Sequence, residues 1–203
     1  MLVASAACAS PTLFAGPNRA SFSAQGTIVE NYGFEDLGTG FSSLGSVWTA
    51  HGVTYQTGDN LVVGTQTGYA PISNVFAYNF WSPVTATVEH NTSQFNMLGF
   101  DVGYLGAQSP LSINVTTNLG SFTLSNIVPS NASQAMNFFG FVAGQGEYFT
   151  GFQLTSANGS GSAPVIDNVT LGQEAAAVPE PASLALLGLG FAGMALSRRR
   201  RKA

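Results

Sequence analysis

Between Leu111 and Thr116 apolar and polar residues alternate without a break. Leu111, Ile113 and Val115 share one parity, and Ser112, Asn114 and Thr116 share the other. A period of two sends one set to a core and the other to a surface, as in a half-buried strand. The stretch FNMLGFDVGY, residues 95–104, alternates in two phases. Phe95 and Met97 share one parity; Phe100, Val102 and Tyr104 share the other. The change of phase beside Gly99 predicts a β-bulge there. Further strands are expected in SVWTAHGVTYQT, LVVGT, VFAYNFW, VTATVEH, GSFTLSNIV, MNFFGFV, YFTGFQLTS and APVIDNVTL. No segment before residue 178 sustains a period of 3.6, and Gly, Asn and Pro punctuate the strands. Many short strands of this kind predict an all-β fold, an antiparallel β-sandwich. No repeat of fixed period occurs, which argues against a solenoid or a propeller.

The ends differ from this body. MLVASAACASPTLFAG resembles the back half of a secretory signal, with small residues spaced for cleavage but no basic start. Residues 1–19 are therefore expected to be a leader or the remnant of one, and 20–171 the sandwich domain. Residues 172–177, GQEAAA, are expected to be a linker. In the last segment, 178–203, the fifteen residues Ala182–Leu196 carry no charge. As a helix they would span roughly 22 Å, short of a bilayer core of about 30 Å. This predicts one C-terminal hydrophobic helix. Arg198, Arg199, Arg200, Arg201 and Lys202 follow it as a basic stop, expected to stay on the cytoplasmic side.

Pro179-Glu180-Pro181, the glycine-containing apolar run and the arginine-rich end together resemble the PEP-CTERM sorting signal. Some classifications label the same tail an ice-binding protein C-terminal domain. The resemblance implies a Gram-negative host that makes exopolysaccharide and export across the inner membrane. It also implies a transient membrane anchor and processing by an exosortase-type membrane enzyme, followed by release to the cell surface or extracellular matrix. The prolines disfavour helix at and before the motif, which suits an extended segment presented to such an enzyme.

Charge excludes one class of partner. Nine of the ten acidic residues but only one basic residue, Arg19, lie in residues 1–177, a net of eight negative charges that would repel nucleic acid. Cys8 is the sole cysteine, so no intramolecular disulfide forms. Motifs of nucleophilic, zinc-dependent or phosphate-binding enzymes are absent, and His51 and His90 are expected on the surface or in loops. The chain reads as non-catalytic. Trp48, Trp81 and Tyr78 are candidates for a sugar-stacking platform, with Trp81 in AYNFWSP favoured; the alternative for each ring is core packing.

NYGFED near the start and VIDNVTL near the end resemble jelly-roll carbohydrate-binding modules of galactose-binding-like fold. That likeness implies a jelly roll whose first and last strands lie close together, often with a structural calcium. Parity in VIDNVTL places Asp167 with Val165, Val169 and Leu171, hence inward if that face is the core; the alternatives are that Asp167 points outward and Ile166 inward, or that Asp167 blunts an edge strand as an inward charge. A buried carboxylate needs a counter-charge, and Glu35 is the expected second oxygen ligand of a calcium ion with Asp167. Asp36 is a weaker candidate. The expected function is a surface-associated glycan-binding or exopolysaccharide-matrix protein. The alternatives are a secreted glycan hydrolase using carboxylates, marked by an acid pair in a deep cleft, and a self-assembling matrix protein, marked by an exposed edge strand.

Overall fold

The computed structural model of the chain describes residues 10–37, 42–64, 76–78, 83–89, 94–106, 109–128, 136–156 and 162–175. They form two antiparallel sheets packed as a sandwich. In the first sheet the order is β1 (Thr12–Ala15), β10 (Asn137–Val142), β7 (Met97–Gly106) and β12 (Ser162–Glu174), with β2 (Gly26–Tyr32) also on β12. In the second it is β4 (Val53–Gly64), β6 (Val84–Val88), β11 (Phe149–Ser156), β8 (Leu111–Thr117) and β9 (Ser121–Ile127), with β3 (Ser42–Ala50) on β4. The short strand β5 (Phe76–Tyr78) pairs with both β12 and β4 and joins the sheets. Facing strands meet through aromatic rings: Phe100 of β7 lies 4.7 Å from Phe152 of β11, and Phe122 of β9 lies 6.5 Å from Phe141 of β10.

The core follows from the alternation. Leu98, Phe100 and Val102 of β7 and Ile166 of β12 face Val84, Ala86, Ile113, Val115, Phe152 and Leu154. The second phase in residues 95–104 has a different cause from the predicted bulge. β7 runs in unbroken register against β10 from Met97 to Val102. Its other face is also buried, by a smaller cluster of Met97, Phe138, Val142 and Phe22, the last from the short helix α1 (Arg19–Ser23). A strand covered on both faces shows two apolar phases. Gly99 and Gly140 are cross-strand partners and floor the seat of Phe22; a Cβ at Gly140 would stand 2.6 Å from the Phe22 ring. Burying that ring stabilises the outer layer by about 1.5–3 kcal/mol. The ladder irregularity lies across from Gly99, on β12 between Asp167 and Thr170, where Asn168 has a φ of 49°.

Both expected boundaries move outward. Residues 12–19, assigned to the leader, contain β1 and the start of α1, and β1 pairs with β10 along its full length. Residues 172–174, assigned to the linker, continue β12 and pair with Ile28, Thr27 and Gly26 of β2. Leader-like composition hid β1 because its strand face is only half buried. Among the described residues no helix is long and apolar enough to cross a membrane. The predicted C-terminal helix lies in 178–203, outside the described residues.

Candidate functional site

The outer face of the second sheet is a polar trough built by the same alternation that makes the core. Register aligns its outward residues in rows across five strands. One row is Gln56, Thr85, Gln153, Asn114 and Thr123; the next is Thr54, Thr87, Gly151, Thr116 and Ser121. Every member is a hydroxyl, a carboxamide or a glycine. Threonine suits a pleated surface and presents a hydroxyl at the same time. Depressions of about 290 and 350 Å³ adjoin at Thr85 and Gln153. Among the described residues no Asp, Glu, Lys, Arg or His lines either of them. A side chain at Gly151 would fill the floor, since its Cβ would meet the Ala86 carbonyl oxygen at 2.8 Å.

The groups are partly pre-oriented. Gln153 Nε2 donates to Thr85 Oγ1 at 3.3 Å, Asn114 Nδ2 to Thr123 Oγ1 at 2.6 Å, and Thr116 Oγ1 to Asn114 Oδ1 at 3.4 Å. Each amide and hydroxyl keeps further donor or acceptor capacity toward solvent. Such a surface can exchange hydrogen bonds with a polyol. The outward parity of Ser112, Asn114 and Thr116 was legible in the sequence; their alignment with Thr85, Thr87 and Gln153 depends on register between strands distant in the chain.

The second constellation is buried. Asp101 of β7 and Asp167 of β12 are cross-strand partners, 1 % and 0 % exposed. Asn168 ties them together: its Nδ2 donates to Asp101 Oδ2 at 2.9 Å and to Asp167 Oδ2 at 3.3 Å, and its backbone N–H donates to Asp167 Oδ1 at 2.7 Å. Arg19 of α1 pairs with Asp101 Oδ1 and stacks over Phe138, 4.2 Å from the ring centroid. Burial pushes the Asp101 carboxyl above the usual range, opposed by the Arg19 charge and by hydrogen bonds from Asn168 and Arg19. Asp167 is therefore buried as expected, but the face differs. Ile166 lies in the main core and Asp167 on the opposite, covered face, and the irregularity at Asn168 shifts Val169 and Leu171 into the main core with Ile166.

The first and last of the expected strands do meet, with Tyr32 opposite Val169. Glu35 and Asp167 both flank Gly33, whose added Cβ would lie 3.8 Å from Glu35 Cγ and 3.5 Å from Asp167 Oδ1. Nearby, Tyr55 Oη is buried without a hydrogen-bond partner among the described residues. Burial, and then the charges of Tyr32 and Asp167, push the Tyr55 phenol well up. Among the described residues no three Asp, Glu, His or Cys side chains converge as a ready-made metal cage. Asp36 accepts from Tyr32 Oη at 2.6 Å.

The aromatic candidates separate. Trp48 packs against the core, its ring 5.6 Å from Tyr55 and 5.7 Å from Tyr32. Tyr78 ends β5, opposite Val62 and Val165. Trp81 lies outside the described residues, as do His90, Pro179, Glu180, Pro181, Arg198, Arg199, Arg200, Arg201 and Lys202. His51 is exposed in the tight turn between β3 and β4; its ring stacks 4.3 Å from that of Tyr32 and its Nδ1 sits 3.2 Å from Glu30 Oε2.

Residues 177–201 match the PEP-CTERM protein-sorting motif, so the chain carries a signal of exported, surface-sorted proteins. No curated protein matches the chain. Among solved structures, a variant of a family 29 carbohydrate-binding module is 15% identical with a TM-score of 0.37, covering 86% of this chain and 95% of that one. A xylan-binding family 22 domain from Paenibacillus barcinonensis is 15% identical with a TM-score of 0.41, covering 74% and 97%.

Proposed function

We propose that this is a non-catalytic protein, exported and processed near Pro179–Pro181 by an exosortase-type enzyme, whose jelly-roll sandwich binds a neutral glycan of the cell surface or extracellular matrix. The observation that carries the reading is the pair of uncharged hydroxyl and carboxamide rows across the second sheet. Strands stand about 4.8 Å apart, comparable with the length of one sugar ring. A glycan lying across the strands would meet one polar side chain of a row at each strand. The uncharged described lining of the two depressions, the Glu89 carboxylate beside Thr54 at one end of a row and the body's negative charge all disfavour a polyanionic ligand. The hydrolase alternative loses support, because the buried acid pair lies beneath α1 and not in the trough. Trp81 is two residues from Pro83, which lines one end of the trough. We propose that Trp81, with Tyr78, supplies the stacking ring there.

Binding of the full chain to a panel of neutral and uronate-containing polysaccharides tests this. Retention by a neutral glycan is expected. Gln153→Ala and Asn114→Ala should each weaken it about fivefold, from the loss of roughly 1 kcal/mol of hydrogen bonding. Trp81→Ala should weaken it by about two- to tenfold. A preference for uronates, or affinities untouched by the trough variants with circular dichroism unchanged, would refute the assignment.

A calcium ion at Glu35 and Asp167 is proposed as a structural element of the same domain. The nearby hydroxyl of Tyr55, buried without a partner among the described residues, supports it, as does the burial of Asp167 beside Asp101, with which Arg19 pairs. Calcium takes six to eight oxygens, so backbone carbonyls and water would complete the set. A site specific to the folded state adds about 2.7 kcal/mol at a hundredfold excess over Kd. The full chain should therefore melt higher in calcium than in chelator, and Glu35→Gln or Asp167→Asn should abolish the difference. Identical melting in both solutions, with no bound metal detected, would remove calcium from the account.

A further inference from the structure

We infer that β9 is a dimerisation edge, pairing antiparallel with β9 of a second copy of this chain. β9 ends the second sheet; β8 hydrogen-bonds to one side of it, and no described strand pairs with the other. Such an edge presents unpaired N–H and C=O groups, and soluble proteins usually guard it with lysine, inward charge or proline. Here the guards are few. No Asp, Glu, Lys or Arg occurs anywhere between Asp101 and Glu147, a stretch that includes β8, β9 and β10. Phe122, Leu124 and Ile127 of β9 are only half-buried, and Leu119 and Val128 beside it are 46% and 57% exposed. Among the described residues of this edge the guard is an irregularity at Ser125–Asn126, where Asn126 has a φ of 58°, and in the sequence Pro129 follows two residues after the strand. The irregularity leaves Ser121–Leu124 straight and free to pair.

Charge selects the occupant. Two copies of a body carrying eight net negative charges repel each other except where the surface is neutral. β3 is also an edge, but it belongs to the hairpin beside Glu30 and Glu89 and carries two register shifts. β9 is both neutral and straighter. An antiparallel strand pair related by a two-fold axis is self-complementary, so one edge suffices for a closed dimer. Pairing here would continue the second sheet, and with it both polar rows, into the partner. That last consequence rests on the glycan reading; the pairing does not.

The test uses the full chain with Cys8→Ser as background. Ser121→Cys and Thr123→Cys should each give a covalent dimer under mild oxidation, while Thr87→Cys, in mid-sheet, should not. Leu119→Lys with Ser125→Lys should halve the sedimenting mass and leave circular dichroism unchanged. A monomeric parent chain, equal cross-linking from Thr87→Cys, or association that survives the two lysines would overturn the proposal. Glycan retention measured on the lysine variant reports separately on the trough.

Discussion

Replacing Phe34 with alanine is expected to destabilise the full chain by about 3–5 kcal/mol, the cost of removing a fully buried aromatic ring. Phe34 is 0 % exposed and central to a ring cluster, 4.7 Å from Tyr32, 5.6 Å from Tyr55 and 5.8 Å from Trp48. Its backbone is unusual: φ is 62°, a left-handed conformation that bulky residues rarely adopt. The preceding Gly33 is held for space, since a Cβ there would stand 3.2 Å from Asn168 Oδ1. Past Phe34 the chain tightens into a turn over Glu35–Leu37, closed by the Leu37 N–H donating to the Phe34 carbonyl at 3.1 Å. The left-handed turn aims the ring inward, and packing offsets its strain. Thermal denaturation should show a fall of roughly 10 °C or more, with Phe34→Leu losing less. A loss below about 1 kcal/mol for alanine would mean that the ring cluster is peripheral to the core.

Sequence reading succeeds best where one face of a strand is wet. Alternation in residues 111–116 was enough to find β8 and both of its faces, because a strand with one wet face writes its pattern in pairs. β7 and β12 were harder. Both faces of each are covered, so parity loses its meaning, and the irregularity at Asn168 moves Val169 and Leu171 off the face predicted from Asp167. The meeting of the strands that carry the two short motifs was legible, and Tyr32 stands opposite Val169. The trough was not, since it depends on β11 pairing with both β6 and β8. Nor was the anchorage of α1: a five-residue helix has too little length to show a period, and Gly99 and Gly140 reveal their purpose only once Phe22 is seated between them.

Arg19→Ala is expected to cost about 2 kcal/mol at neutral pH, a fall in Tm of roughly 4–8 °C. Removing one partner of a buried ion pair usually costs more. Here the Arg19 side chain is 41% exposed, so water screens part of its interaction and takes up part of the loss. What remains is Asp101, 1% exposed, which still accepts from Asn168 Nδ2. The pH dependence gives the mechanism away. Burial raises the Asp101 carboxyl above its ordinary value of 3.8, and Arg19 holds it down. A carboxyl raised in the folded state contributes stability that is present below its unfolded pKa and is lost as pH rises through the folded one. Without Arg19 the folded value moves higher still. The deficit of the variant should therefore be largest near pH 7 and shrink as the solution is acidified toward the ordinary carboxylate range, where Asp101 takes up a proton. Adding Asp101→Asn to Arg19→Ala removes the unpaired charge and should recover much of the loss at pH 7, because deleting both partners is far less costly than deleting one. Melting curves of the parent chain, the single variant and the double variant at several pH values would check this. A deficit independent of pH and unrelieved by Asp101→Asn would locate the role of Arg19 in its packing over Phe138 rather than in its charge.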